Sequence, residues 1–518
     1  MRFYASVLVV IFTTLFPASS FATTPLSTED FSQVPDVSRL VLSPDGKKLA
    51  STIRISVDKT QGVAVQIVDL ETKEKKISLF TDNSKYFFNW ISWKDNKTLM
   101  VAVFTPAERD TQIGMQMVRF KTRDNDLMLI DTETDQITQP VSGKFLSRYK
   151  ISPSVRNWIV DSLWNDPDHI LMEFPGIDRG FMSDHVVYKF NIKTQQATLY
   201  HEAKSRVSNW MVDQQHQVRI GQYSKDGQIT LMAKESESKK WRELWSYKIF
   251  SEQQIDPLGF GVDQNELYVR AYHNNRQAVF KVNLKDPDLK RELLVADEKY
   301  DVKGNLIYSP ITNAVIGVSA MEDGGTHFFD KEMQLLQAKI DKAIPGNRNN
   351  IYSISADLKK FLVFSSSSTD SGTYYLGQSN PVKLDAIAYS YKKLLPEFMS
   401  KTQRVEYVAR DGLKIEAYLT IPKNGPQKNL PTLMFPHGGP MARDSDAFDY
   451  WAQFFANKGY AVLQMNFRGS DGQGLELRNA GLKNWGKEMQ DDVEDGARYL
   501  IAKGIADSGA IGIVGASY

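Results

Sequence analysis

Ser43-Pro44-Asp45-Gly46-Lys47-Lys48-Leu49-Ala50 reads as a tight turn that feeds a short apolar strand. Proline presets the turn, aspartate bonds to its own backbone, and glycine accepts a positive φ. The same grammar returns at Ser92 (SWKDNKTLMVAV), Ser152 (SPSVRNWIV), Val212 (VDQQHQVRIG), Gly261 (GVDQNELYVR), Ser309 (SPITNAVIGV) and Ser355 (SADLKKFLVF). The starts at Val212 and Gly261 lack the Ser-Pro-Asp form. Successive starts lie 46 to 60 residues apart. A second pattern falls between them, a strand ending in Asp or Asn and then a turn. It occurs as IVDLETKEKK from Ile67, LIDTETDQIT from Leu129, KFNIKTQQAT from Lys189 and KVNLKDPD from Lys281. Units of this length, each holding several short strands, mark β-propeller blades. A large β-sandwich would repeat its turns more often and show no such superperiod. The seven starts predict an all-β propeller of seven blades over residues 30–390.

Composition agrees with a large globular chain. The 518 residues exceed one ordinary core. Hydrophobic residues make up 42% and charged residues 24%, and the 22 Tyr, 27 Phe and 9 Trp suit cross-strand packing. Lys+Arg (63) and Asp+Glu (62) nearly cancel, which argues against nucleic acid or anionic lipid as partners. At the N-terminus, Arg2 precedes an apolar run from Phe3 to Phe16, and Ser20-Phe21-Ala22 offers small residues for cleavage after Ala22. Fourteen helical residues span only ~21 Å, too short for a bilayer core. Residues 1–22 are therefore expected to be a signal peptide, with no membrane association after its removal. The chain has no Cys, so neither disulfides nor a lipid-attached cysteine are available. The expected location is periplasmic or secreted.

Beyond Tyr389 the grammar changes. Residues 391–403 read as a linker broken by Pro396, and 404–518 as a second domain. Asp411-Gly412 between two alternating runs, 405–409 and 413–419, predicts a hairpin. Strands at 432–435, 461–465 and 511–514 then alternate with helices at 448–458 and 488–503, closed by Gly459 and Gly504. That order predicts a parallel sheet with crossover helices.

Two short segments carry the chemistry. The strand at 511–514 runs into Gly515-Ala516-Ser517-Tyr518, the beginning of a G-x-S-x-G turn that lifts a serine above a sheet. His437-Gly438-Gly439-Pro440 follows the strand at 432–435, where a Gly-Gly loop can aim bare backbone N–H groups at an oxyanion. Alone, the second segment is as well explained by a plain turn; together the two point to a nucleophilic serine. HGGP, NFRGSDGQG (466–474), MQDDVEDGARYL (from Met489) and GIVGASY closely resemble the catalytic domain of the prolyl oligopeptidase family, nearest its acylaminoacyl-peptidase and dipeptidyl-peptidase-like bacterial members. The resemblance is specific over 432–518 and only architectural before that. It implies a propeller followed by an α/β-hydrolase domain and a serine peptidase acting on short peptides. It implies Ser517 as nucleophile, with the amides of Gly438, Gly439 and Tyr518 as oxyanion hole and His437 in the same loop. Members that prefer internal proline tend to carry Tyr where this chain has His437, which weighs against a strict prolyl endopeptidase.

Other polar residues read as structural. Arg468 is expected to pin its own loop. Asp491, Asp492, Glu494 and Asp495 fit the positive end of a helix dipole. The six remaining histidines (169, 185, 201, 216, 273 and 327) show no ligand spacing, so neither metal nor cofactor is expected. A hydrolase triad runs Ser, acid, His, and His437 is the only histidine after residue 403. The chain therefore reads as part of a longer protein, with an incomplete hydrolase domain that is inactive by itself. The alternatives are a small-ester hydrolase and a propeller binding module with a decayed hydrolase domain. Oligomeric state and cleavage preference stay open.

Overall fold

The computed structural model describes residues 26–113, 116–149, 151, 155–175, 184–204, 206–237, 240–319 and 325–517. The signal peptide, Ser152 and Tyr518 lie outside them.

Seven small antiparallel sheets succeed one another along the chain, at 37–81, 87–138, 159–201, 207–248, 255–295, 306–328 and 348–389. They are blades I to VII. Each has four strands except VI, which has three among the described residues. The turns read from the sequence are the joints of these blades. The first pattern joins strands one and two. Asp45 Oδ1 accepts from Ser43 Oγ and Lys47 N, and Asp357 Oδ1 accepts from Ser355 Oγ and Lys359 N. The second joins strands three and four. Asp69, Asp131 and Asn191 each take two backbone N–H groups on Oδ1 (2.8–3.0 Å). A carboxylate or amide thus stands in for a ladder partner where the chain reverses.

Blade III departs from the expected register. The Ser152 motif precedes its first strand, Ile159–Asp161, while the joint matching the other six lies at 162–168. That strand has only three residues, so the apolar run after Ser152 was too short to mark the right turn. A helix absent from the sequence reading, Lys331–Ala343, stands between blades VI and VII. Asp330 caps it by accepting from Met333 N (3.0 Å), and Met333 and Ile340 pack against Ile351 and Phe361.

The ring closes without exchanging a strand, because blades I and VII are each continuous in sequence. Leu40, Leu42 and Leu49 of blade I share a cluster with Leu362 and Tyr374 of blade VII. Ala356 N bonds Pro44 O (2.6 Å), and Lys360 Nζ bonds Gly46 O (2.8 Å).

The second domain holds a mixed five-stranded sheet. Its strands are β1 (Thr402–Val408), β2 (Lys414–Thr420), β3 (Leu430–Met434), β4 (Ala461–Met465) and β5 (Ala506–Ile513), in the order β1-β2-β4-β3-β5. The expected hairpin β1/β2 and the pair β2/β4 are antiparallel; β4/β3 and β3/β5 are parallel. Helices α1 (Tyr450–Asn457), α2 (Leu475–Ala480) and α3 (Glu488–Ala502) complete this part. Met489 and Leu500 of α3 join Ile415, Leu463 and Met465 in its core. Because β4, β3 and β5 are parallel neighbours, the loops after them emerge at one edge, where open α/β sheets place their sites.

Candidate active site between three strand-end loops

β5 ends at Ile513, and Val514 N bonds Met434 O (3.0 Å), which holds the following turn beside the end of β3. Ser517 sits at φ +71°. This left-handed region is sparsely populated by residues other than glycine. The loop after β3 meets Ser517 directly. A Cβ added at Gly438 would lie 2.9 Å from Ala516 O and 3.2 Å from Ser517 Cβ, so only glycine lets the two loops approach this closely. Gly439 adopts φ +129°, and a Cβ there would meet Met441 N at 2.7 Å.

His437 holds this loop. Its Nδ1 is 2.8 Å from Gly438 O, its Nε2 is 2.8 Å from Ser470 Oγ, and its ring stacks on Phe467 with centroids 4.6 Å apart. A carbonyl only accepts, so Nδ1 carries the proton and Nε2 accepts from the Ser470 hydroxyl. Burial lowers the pKa of His437, against the raising effect of its bond to Gly438, and favours the neutral ring. With Gly438 O held by the imidazole, the trans peptide directs Gly439 N–H away from the ring. His437, Gly438, Gly439 and Ser517 are thus brought together; Tyr518 lies outside the described residues.

Arg468 follows β4 and is pinned as expected, but to α3. Its Nε and Nη2 donate to the two Asp492 oxygens (2.8 and 2.7 Å), its own N–H donates to Asp492 Oδ2 (2.9 Å), and Nη1 pairs with Asp411 (2.8 Å). Asp495 binds Arg410 in the same manner. The acidic run therefore serves two arginines rather than the helix dipole alone.

Sequence reasoning missed a polar hub between the domains. Glu416 of β2 is almost fully buried and accepts from Tyr300 (2.9 Å), Tyr418 (2.6 Å) and Gln473 (2.7 Å), with Lys299 Nζ at 2.7 Å. Burial opposes its charge, but the bonds from Lys299, Tyr418 and Tyr300 prevail and hold the carboxyl below its usual range. Arg443, six residues beyond His437, lies over the Tyr300 ring at 4.7 Å. Lys303–Asp471 and Arg348–Asp446 add further ion pairs between the domains. No local motif marks these residues, since each partner comes from a distant part of the chain.

Beside the hub, Asp444 Oδ2 is buried without a hydrogen-bond partner. Burial first, and then neighbouring Asp449, push its pKa up to about 7.

Residues 446–518 match the sequence profile of the prolyl oligopeptidase family. That match lies wholly within the second domain and takes in the strand-end loops after β4 and β5. Dipeptidyl aminopeptidase BIII of Pseudoxanthomonas mexicana is 27% identical over 345 residues, covering 64% of this chain and 49% of that protein. The acylamino-acid-releasing enzyme of Sus scrofa is 32% identical over 114 residues, covering 22% of this chain and 16% of that protein. A puromycin-hydrolyzing peptidase of Mycobacterium tuberculosis superposes with a TM-score of 0.62 at 13% identity, over 95% of this chain and 76% of that one. That likeness concerns the fold, a propeller joined to a hydrolase domain. The chain spans about half the length of the curated relatives it matches first. Prolyl oligopeptidase family members are serine peptidases.

Proposed function

We propose that this chain is the propeller and catalytic-domain portion of a serine peptidase that hydrolyses short peptides through an acyl-enzyme on Ser517. The observation that carries the reading is the approach of Gly438 to Ser517, with the loop locked by His437. In it, the Ser517 hydroxyl attacks the scissile carbonyl. The resulting oxyanion is assigned to the amides of Gly438, Gly439 and Tyr518, since donors placed where the charge develops stabilise it. A serine needs a base to take its proton and return it to the leaving amine. His437 is engaged at both ring nitrogens and serves the loop instead. The base and its orienting acid are assigned to a longer form of the protein, and the 518 residues alone are expected to show no turnover. The propeller, docked through Glu416, restricts access to short unfolded peptides. Export with cleavage after Ala22 completes the proposal, and N-terminal sequencing of the mature protein checks it.

Fluorophosphonate labelling of the longer protein followed by peptide mapping tests the assignment. Modification of Ser517, with aminoacyl-nitroanilide turnover lost in Ser517→Ala, is expected. Labelling elsewhere with Ser517→Ala active would overturn it, and turnover of short esters alone would favour an esterase.

A further inference from the structure

The first strands of neighbouring blades touch one another, I with II, III with IV, IV with V and VII with I. First strands therefore line the propeller axis. The hydrolase domain bonds to one rim only. Its contacts include Asn275 and Ser368, in the joints between second and third strands, the 299–303 segment between blades V and VI, Phe250 between blades IV and V, and Arg348 at the start of blade VII's first strand. The opposite rim holds a cavity of about 580 Å³. Asp161, Val212, Phe260 and Tyr308, the last residues of the first strands of four consecutive blades, line it.

Its chemistry is uneven. Two large indoles stand open in its wall, Trp164 at 60% and Trp158 at 43% exposure. Three carboxylates line it and no lysine or arginine does, among the described residues. Two of the carboxylates are already matched, Asp213 by Arg219 (2.9 Å) and Glu173 by His185 (2.5 Å). Asp161 holds His216 Nδ1 at 2.6 Å. That bond places the proton on Nδ1, so in the neutral ring Nε2 is a bare acceptor. His216 Nε2 is buried and has no hydrogen-bond partner, and the Trp164 ring lies 6.0 Å from the imidazole. A buried acceptor without a donor is costly to leave unmade, and open indole faces beside a carboxylate favour a cation.

We propose that this cavity binds the arginine or lysine side chain of a peptide approaching the propeller from the rim opposite the hydrolase domain. The cation lies against Trp164, donates to His216 Nε2 and finds its counter-charge in Asp161. The choice of a peptide as carrier rests on the peptidase reading above; the cavity's preference for a cation does not.

The test is calorimetric titration of the 518-residue chain carrying Ser517→Ala, which removes any turnover. The probes are acetylated and amidated Gly-Arg-Gly, Gly-Lys-Gly, Gly-Glu-Gly and Gly-Gly-Gly. Saturable binding of the basic peptides, weakened about tenfold by Trp164→Ala, is expected. Trp164 is exposed, so its truncation does not threaten folding; His216→Ala serves as a second variant with the same expected loss. Equal affinity for Gly-Glu-Gly, no binding at all, no loss in Trp164→Ala, or displacement of Gly-Arg-Gly by a neutral oligosaccharide would each overturn the proposal. Fluorophosphonate labelling reads Ser517 and not this cavity, so either reading can fail alone.

Discussion

Gly438 is the glycine that faces Ser517 across the two loops. An alanine there must displace Ala516 O or Ser517, the two groups its Cβ would meet at 2.9 and 3.2 Å. In the active, longer protein Gly438→Ala should lower kcat about 10²-fold with KM little changed, the size of effect seen when an oxyanion donor is lost. An unchanged kcat would detach Gly438 from the chemistry. Asp444 gives a prediction in pH. Its carboxyl is raised from 3.8 to about 7 in the folded chain, so across that window the native state keeps a proton that the unfolded chain has released. Stability therefore falls as pH rises through the window. Asp444→Asn should flatten the loss, read as urea midpoints at about pH 5 and about pH 8. The glycine loop and the serine were legible in sequence because each follows an apolar strand at a fixed offset. The partner of His437 was not, since Ser470 lies 33 positions away on another loop.

Elements with a continuous apolar run were readable almost to the residue, as β4 at Ala461–Met465. β5 was not: the sequence marked 511–514, while the strand starts at Ala506. Its pairing jumps from Leu430↔Ala506 to Thr432↔Ile511. The polar residues between, where Gly509 N turns back to Asp507 Oδ1 (2.9 Å), carry no strand signal. Within the second domain, the loop after β4 and helix α3 depend on one buried ion pair. Asp492 is 0% exposed and Arg468 is nearly so. Removing one partner strands the other charge in the interior, so Arg468→Met should cost ~3–5 kcal/mol. Equilibrium denaturation checks this, and a loss below about 1 kcal/mol would mean the carboxylate finds water or another donor.

The propeller was legible at the scale of the whole molecule because its joints repeat, with Asp or Asn closing turns in successive blades. The docking of the two domains left no trace in sequence, since Tyr300, Glu416, Arg443 and Gln473 converge from four separate segments. Glu416→Ala leaves Lys299, Tyr300 and Tyr418 without their shared acceptor. It should split the thermal unfolding of the chain into two calorimetric transitions, propeller and second domain, where the unsubstituted chain is expected to unfold in one. An unchanged single transition would show that the apolar contacts alone couple the domains. The chemistry depends on Ser517 being held against the glycine loop of the second domain. A crystal structure of the longer protein with a fluorophosphonate adduct examines that arrangement directly. The account predicts density continuous from Ser517 Oγ, with a phosphoryl oxygen about 3 Å from a Gly438 or Gly439 N–H; an adduct on another residue, or one whose oxygen faces away from that loop, would contradict it.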